Sequence, residues 1–133
     1  MSEGWSQLIK SSLIVKRVLY WVKMLDLRMW HIKVYFKEPE EIQESLRSPG
    51  NVACIFHKDC VYEADIWLTS LYLNEDEITE DLDNSIVHEL LHLVLTDAFD
   101  HARTMGWVKT VHTERAINMI AKAIVKLERR NHV

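Results

Sequence analysis

Leu8, Ser12, Val15, Leu19 and Val22 stand four, three, four and three residues apart, the spacing of one face of a helix. This spacing predicts an amphipathic first helix ending near Leu25. From Trp30 to Phe36 the period changes to two. Ile32, Val34 and Phe36 fall on one side, and His31, Lys33 and Tyr35 on the other, as in a half-buried strand. The stretch from Glu38 to Gly50 holds both prolines and four glutamates and reads as a loop with a helical turn around Ile42 to Leu46. Asn51 to Phe56 and Val61 to Leu68 read as two more strands, joined by the short turn His57-Lys58-Asp59-Cys60.

The polar run from Asn74 to Asp83 leads into a helix, with Thr79 or Asp81 as its N-cap and acidic residues at its positive end. A polar connection from Thr96 to about Thr110 follows. The last helix runs from roughly His112 to Arg129. Its apolar face is Ala116, Ile117, Ile120, Ala121, Ala123, Ile124 and Leu127, and its solvated face Arg115, Lys122, Lys126 and Arg129. The order α-β-β-β-α-α, without repeats or linkers, predicts a single α+β domain over residues 1–133.

Composition narrows the class. At 48% apolar and 27% charged residues, the chain is ordinary for a soluble globular protein. A formal charge of -4 with scattered basic residues gives no ground for a nucleic-acid or anionic-membrane partner. The apolar stretch from Leu13 to Trp30 is cut by Lys16, Arg17, Lys23, Asp26 and Arg28, so it reads as neither a span nor an export signal. The cysteines, Cys54 and Cys60, form no disulfide framework, so a reducing, cytoplasmic setting is expected.

The helix from Leu82 to Leu95 carries the chemistry. At about 100° per residue, its leucines, isoleucine and valines cover most of the circumference, leaving a narrow polar strip of Asp81, Ser85, His88 and His92 flanked by Glu89. A helix apolar nearly all round is buried, so the strip must line a cavity or bind something. His88-Glu89-Leu90-Leu91-His92 spells HExxH. Residues four apart stack on one helix face, so both imidazoles can reach one metal ion, with Glu89 beside them as a proton acceptor. The plainer alternative is two core histidines satisfied by hydrogen bonds.

A catalytic zinc ion takes three protein ligands and an open position. The continuation HExxHxxGxxH fails here, because Leu95 and Ala98 occupy its glycine and third histidine positions. Asp97, Asp100, His101, His112 and Glu114 remain. Glu114 is best placed, since it and Asn118 lie one turn apart at the border of the last helix's apolar side. The competing account is a glutamate favoured by the helix dipole.

HELLH followed by a helix carrying Glu114 and Asn118 resembles the gluzincin arrangement of zinc metallopeptidases. More closely, the layout resembles small phage- and prophage-encoded metallopeptidase-like proteins, distantly of the ImmA/IrrE type. Trp30-His31-Ile32-Lys33-Val34 and Ala64-Asp65-Ile66-Trp67-Leu68 match their strands, and the likeness covers roughly residues 8–128. The resemblance implies a minimal zincin-like fold: an N-terminal helix, a three-stranded sheet, the HExxH helix and a C-terminal helix. It implies Zn2+ held by His88, His92 and Glu114, with Asn118 orienting a liganding histidine in place of the usual aspartate. It further implies that the strand holding Ile66 is the sheet edge beside the cleft, where a peptide adds as a strand.

The activity expected is hydrolysis of peptide bonds in a protein or peptide substrate. A regulatory protein of the bacterial host cytosol is the substrate class the resemblance suggests. Glu89 is the expected general base. His101, Arg103, His112 and Tyr62 are candidates for an oxyanion donor, with no ground for choosing among them. A second reading is a catalytically silent zinc-containing binding module, and a third a purely structural protein. Cys54, His57 and Cys60 read as free thiols and a histidine rather than a second site. Among the tryptophans Trp5, Trp21, Trp30, Trp67 and Trp107, Trp67 is the one expected at the cleft, the rest serving as packing.

Overall fold

Helix α1 (Glu3–Met24) opens the chain in the computed structural model, which describes residues 3–46, 52–58, 61–95 and 111–131. Ile14, Val18, Trp21 and Val22 are its buried row, while Leu8 and Leu19 are 60% and 52% exposed. The buried stripe is therefore rotated from the one expected through Leu8, Ser12, Val15 and Leu19. Helix α1 carries apolar residues on more than one side, and periodicity does not choose between them. The large Trp21 ring and the Arg17 guanidinium, which both find Asp83, fix the face that turns inward.

The helix stops in a Schellman motif. Leu27 N–H donates to Val22 C=O and Asp26 N–H to Lys23 C=O, at 2.8 and 3.1 Å. Asp26 takes the left-handed conformation this requires, φ 57, and buried Leu27 packs back near buried Val22.

Strand β1 (His31–Lys37) alternates as expected, with Ile32, Val34 and Phe36 half-buried against the core. The segment after it is helical, not a loop with one turn: α2 spans Pro39–Leu46. Pro39 at the first helical position loses no hydrogen bond, and Glu38 C=O accepts from the amides of Glu41 and Ile42 at 3.0 and 3.4 Å. Ile42 anchors α2 with no exposure. The hairpin strands are β2 (Ala53–Lys58) and β3 (Glu63–Thr69), followed by a 3-10 turn at Ser70–Asn74.

The sheet order is β1-β3-β2, with β3 parallel to β1 and antiparallel to β2. Ile66 pairs with Val34 on one side and Ile55 on the other. The strand holding Ile66 is thus the centre of the sheet, correcting the expectation that it forms the edge. A strand with Ala64, Ile66 and Leu68 all buried loses least by pairing on both sides. The helical crossover lets β1 close beside it in parallel. The edge next to the histidine helix is β2, and a bond from Thr69 N–H to Val52 C=O, 2.9 Å, prolongs its pairing with β3.

Two long helices complete the core: α3 (Glu80–Val94) and α4 (Val111–Asn131). They pack against each other, α3 also packs on β2 and on α1, and the buried rows of all three helices share one core with Ala53, Ala64, Ile66 and Leu68. The result is an α+β arrangement of four helices and one three-stranded mixed sheet among the described residues. None of the described helices is long and apolar enough to cross a membrane.

Candidate metal centre

Thr79 starts the histidine helix. Its Oγ1 accepts from Leu82 N–H at 3.1 Å, the N-cap bond expected of it. Leu82, Ile86, Val87, Leu90, Leu91 and Leu93 are buried. They seat α3 so firmly that its remaining side, carrying Asn84, Ser85, His88, Glu89 and His92, has a fixed direction.

Helix α4 supplies the facing wall. Ile117, Ala121 and Val125 form its buried row, while Ile120 and Leu127 are 45% and 59% exposed and Ala116 and Ala123 also face outward. The apolar face read from the sequence merged two stripes, of which one meets the core. Arg129, expected on the solvated face, turns inward: its Nη2 lies 3.1 Å from Asp83 Oδ2 and donates to Ile78 C=O at 2.9 Å. Asp83 was missing from the polar strip read off the sequence, yet it is fully buried. A buried carboxylate needs cationic partners, and these come from helices far along the chain.

Asp83 meets Arg129 near the end of α4, while the histidines meet Glu114 near its start, so α3 and α4 run antiparallel. His88 Nε2 lies 3.1 Å from Glu114 Oε2, and His92 Nε2 3.3 Å from Glu114 Oε1. The two rings are 5.3 Å apart and inclined by 60°. One nitrogen or oxygen from each of the three residues lies within 4.8 Å of the other two. Their side chains are 20%, 11% and 42% exposed for His88, His92 and Glu114, so the cluster opens toward solvent on the glutamate side.

These residues fit a metal ion. Ligand atoms 2.0–2.2 Å from a tetrahedral ion stand roughly 3.3–3.6 Å from one another. Of the two nitrogen–oxygen separations, 3.3 Å stands at the short end of that range and 3.1 Å just below it. Two imidazoles and a carboxylate on rigid helices are a donor set for a divalent cation with room left for another ligand.

Beside His88 is a cavity of about 200 Å³ walled by Val52, just before β2, and Ala53 of β2, by Asn84, Ser85 and Glu89 of α3, and by Asn118 of α4. Glu89 therefore faces the same space as His88. Asn118 stands in the wall of that space, one turn beyond Glu114. Ser85 Oγ is 2.8 Å from the hydroxyl of Tyr72, which is buried at 8% exposure. Burial is the main cause that pushes the Tyr72 hydroxyl above its ordinary pKa. Asn84 was not anticipated, although it precedes His88 by four residues and so shares its helix face.

Other expected residues lie elsewhere. Tyr62 packs edge-on against Trp30, rings 5.2 Å apart. Its neighbour Glu63 pairs with Lys58, at the opposite end of the hairpin from Ala53 and the cavity, which removes Tyr62 as an oxyanion donor. Trp67 lies next to Ile66 on β3 and so on the other sheet face. There it meets Phe56 at 4.9 Å and the Lys37 ammonium at 4.8 Å, so the tryptophan expected at the cleft is not in it. Trp21 is buried and donates to Asp83 Oδ1 at 2.9 Å.

Cys54 is a buried free thiol. Asp97, Asp100, His101, Arg103, Cys60 and Trp107 lie outside the described residues, as do the side chains of His112, His57 and Trp5. No protein-family model, curated protein or solved structure matches the chain.

Proposed function

We propose that this chain is a zinc-dependent peptidase of minimal zincin-like, gluzincin-type build that hydrolyses peptide bonds in a protein substrate. The observation that carries the reading is the convergence of His88 and His92 with Glu114 from a separate helix, while Glu89 faces the adjoining cavity. A surface cluster of acids and histidines arises easily. Two helices packed so that one carboxylate reaches both imidazoles, beside a glutamate and a cavity, is a more demanding arrangement.

In this reading His88, His92 and Glu114 hold the ion. Bound there, zinc makes water more acidic and polarises a carbonyl. Glu89 takes a proton from water in the cavity and delivers it to the leaving amine. The edge strand β2, whose Ala53 lines the cavity, offers the main-chain groups along which an extended peptide can lie by strand addition. The likeness to small phage-type metallopeptidases supports the same assignment, and the free Cys54 thiol suits a reducing cytosol.

The test compares wild type with Glu89→Gln. Each is expressed in a bacterial cell, its zinc content is measured, and new protein termini are profiled. The expected result is equal zinc, with new termini only for wild type. Identical profiles with zinc retained would reject the peptidase and leave a zinc-containing binding module.

A further inference from the structure

The cavity beside His88 has a wall chemistry of its own. Among the described residues, its polar groups other than His88 and Glu89 are two carboxamides, Asn84 and Asn118, and one hydroxyl, Ser85. Its apolar groups are small, Val52 and Ala53. The Asn84 Oδ1 atom is buried without a hydrogen-bond partner, although buried amide oxygens are normally paired. A half-turn of that amide exchanges its oxygen and nitrogen ends, so it can present either an acceptor or a donor. The Ser85 hydroxyl is held by Tyr72 at 2.8 Å, which fixes its position in the wall. At about 200 Å³ the space is several times the ~30 Å³ share of one water molecule.

We infer that this cavity is a substrate subsite selecting an uncharged hydrogen-bonding side chain, a carboxamide first, next to the bond to be cleaved. The inference rests on the peptidase reading and names the substrate class of the same site. A large apolar side chain would offer no partner to the Asn84 and Asn118 carboxamides and none beyond Tyr72 to the Ser85 hydroxyl, which is how polar sites reject apolar analogues. An acidic side chain would meet the Glu89 carboxylate. An asparagine or glutamine offers a donor and an acceptor to walls that present both. Asn84 and Ser85 are then specificity residues that touch substrate, and Tyr72 is a positioning residue acting through Ser85.

The experiment has two arms on the full chain. In the first, the side-chain amide signals of Asn84 and Asn118 are followed by NMR, with and without added zinc, during titration with N-acetyl-asparagine amide, N-acetyl-leucine amide and N-acetyl-lysine amide. The asparagine compound should move both signals and bind at least about fivefold more tightly than the leucine compound, the worth of roughly one net hydrogen bond. Ser85→Ala and, at an exposed position that leaves the core untouched, Asn118→Leu should each erase the difference.

Equal affinities, tightest binding of the lysine compound, or no movement of either signal would overturn the subsite. In the second arm the zinc-loaded chain is given a peptide library, and the residues flanking each cut are counted. Asparagine or glutamine should be enriched at one flanking position, and the enrichment lost in Ser85→Ala. Cleavage without that preference overturns the subsite and spares the peptidase. Selective binding without cleavage above Glu89→Gln overturns the peptidase and spares the subsite.

Discussion

Arg17 grips Asp83 with two nitrogens of one guanidinium, Nε to Oδ1 at 2.7 Å and Nη2 to Oδ2 at 2.9 Å. The same Nη2 reaches Glu128 at 3.0 Å, and Tyr20 donates to Glu128 at 2.9 Å. With Trp21 and Arg129 also on Asp83, one buried carboxylate ties α1, α3 and α4 together. This tie sits at the end of the α3–α4 pair away from Glu114. The pair is therefore held at both ends, which fixes how α4 presents Glu114 to the histidines.

Removing one partner of a buried ion pair leaves the other charge stranded. Asp83→Ala is expected to cost about 3–5 kcal/mol in urea unfolding. Replacing Asp83 and Arg17 together by leucine and methionine should cost less than Asp83→Leu alone, because one cation then needs no partner. A loss below about 1 kcal/mol for Asp83→Ala, the scale of an exposed pair, would mean that the network does not hold the helices.

Metal binding to the folded chain alone raises its stability by mass action. Zinc at 1,000 times its dissociation constant should add about 4 kcal/mol, seen as a higher melting temperature, and chelation should reverse it. His88→Ala, His92→Ala and Glu114→Ala should each lose that shift and most of the bound zinc, while Glu89→Gln keeps both. A Glu114→Ala protein that retains stoichiometric zinc would remove Glu114 from the ligand set.

Cys54 gives a pH dependence with a definite sign. Burial first, and the Glu89 carboxylate second, push its thiol from an ordinary 9.0 up to about 11. The fold favours the neutral thiol, so its contribution to stability is complete below pH 9 and is lost as pH rises through about 11. At pH 8 the native thiol should carry about 100-fold less thiolate than the unfolded one. Iodoacetamide labelling of a Cys60→Ser chain, followed by mass spectrometry, should be slower by at least that factor before denaturant is added. Equal rates would mean that Cys54 is neither buried nor shifted.

Asp26 holds φ 57 in the Schellman turn, a conformation that costs a residue with a Cβ roughly 1–2 kcal/mol. Asp26→Gly should therefore stabilise the chain by about 0.5–1 kcal/mol, measured as a higher urea midpoint at unchanged slope. Destabilisation would mean that the aspartate side chain itself holds the turn.

Much of this was legible along the chain, because some constraints are local. Thr79 caps α3 because a threonine followed by acidic residues and an apolar run satisfies its own helix end. The alternation at Ile32, Val34 and Phe36 sets which face of β1 turns inward. HExxH puts His88 and His92 on one face whatever surrounds them. The choice of Glu114 followed from its position at the edge of an apolar helix face, and the fold brings it to both rings.

What the sequence left open is non-local. Helix α1 and helix α4 each carry more apolar residues than one core can take, and the row that is buried depends on what packs against it. Asp83 looks like a surface acid until Arg17 and Arg129, 66 and 46 residues away along the chain, are folded onto it. The strand holding Ile66 became the centre of the sheet through pairing on both sides, which moved the edge to β2 and took Trp67 away from the cavity. The chain by itself set His88, Glu89 and His92 together on one helix and singled out Glu114, the residues that the proposed function uses. Helix periodicity also set Asn84 and Ser85 on the histidine face and Asn118 one turn beyond Glu114, whereas tertiary structure alone decided that α4 faces α3 and that β2 is the strand edge beside them, because those neighbours are set by packing between distant segments.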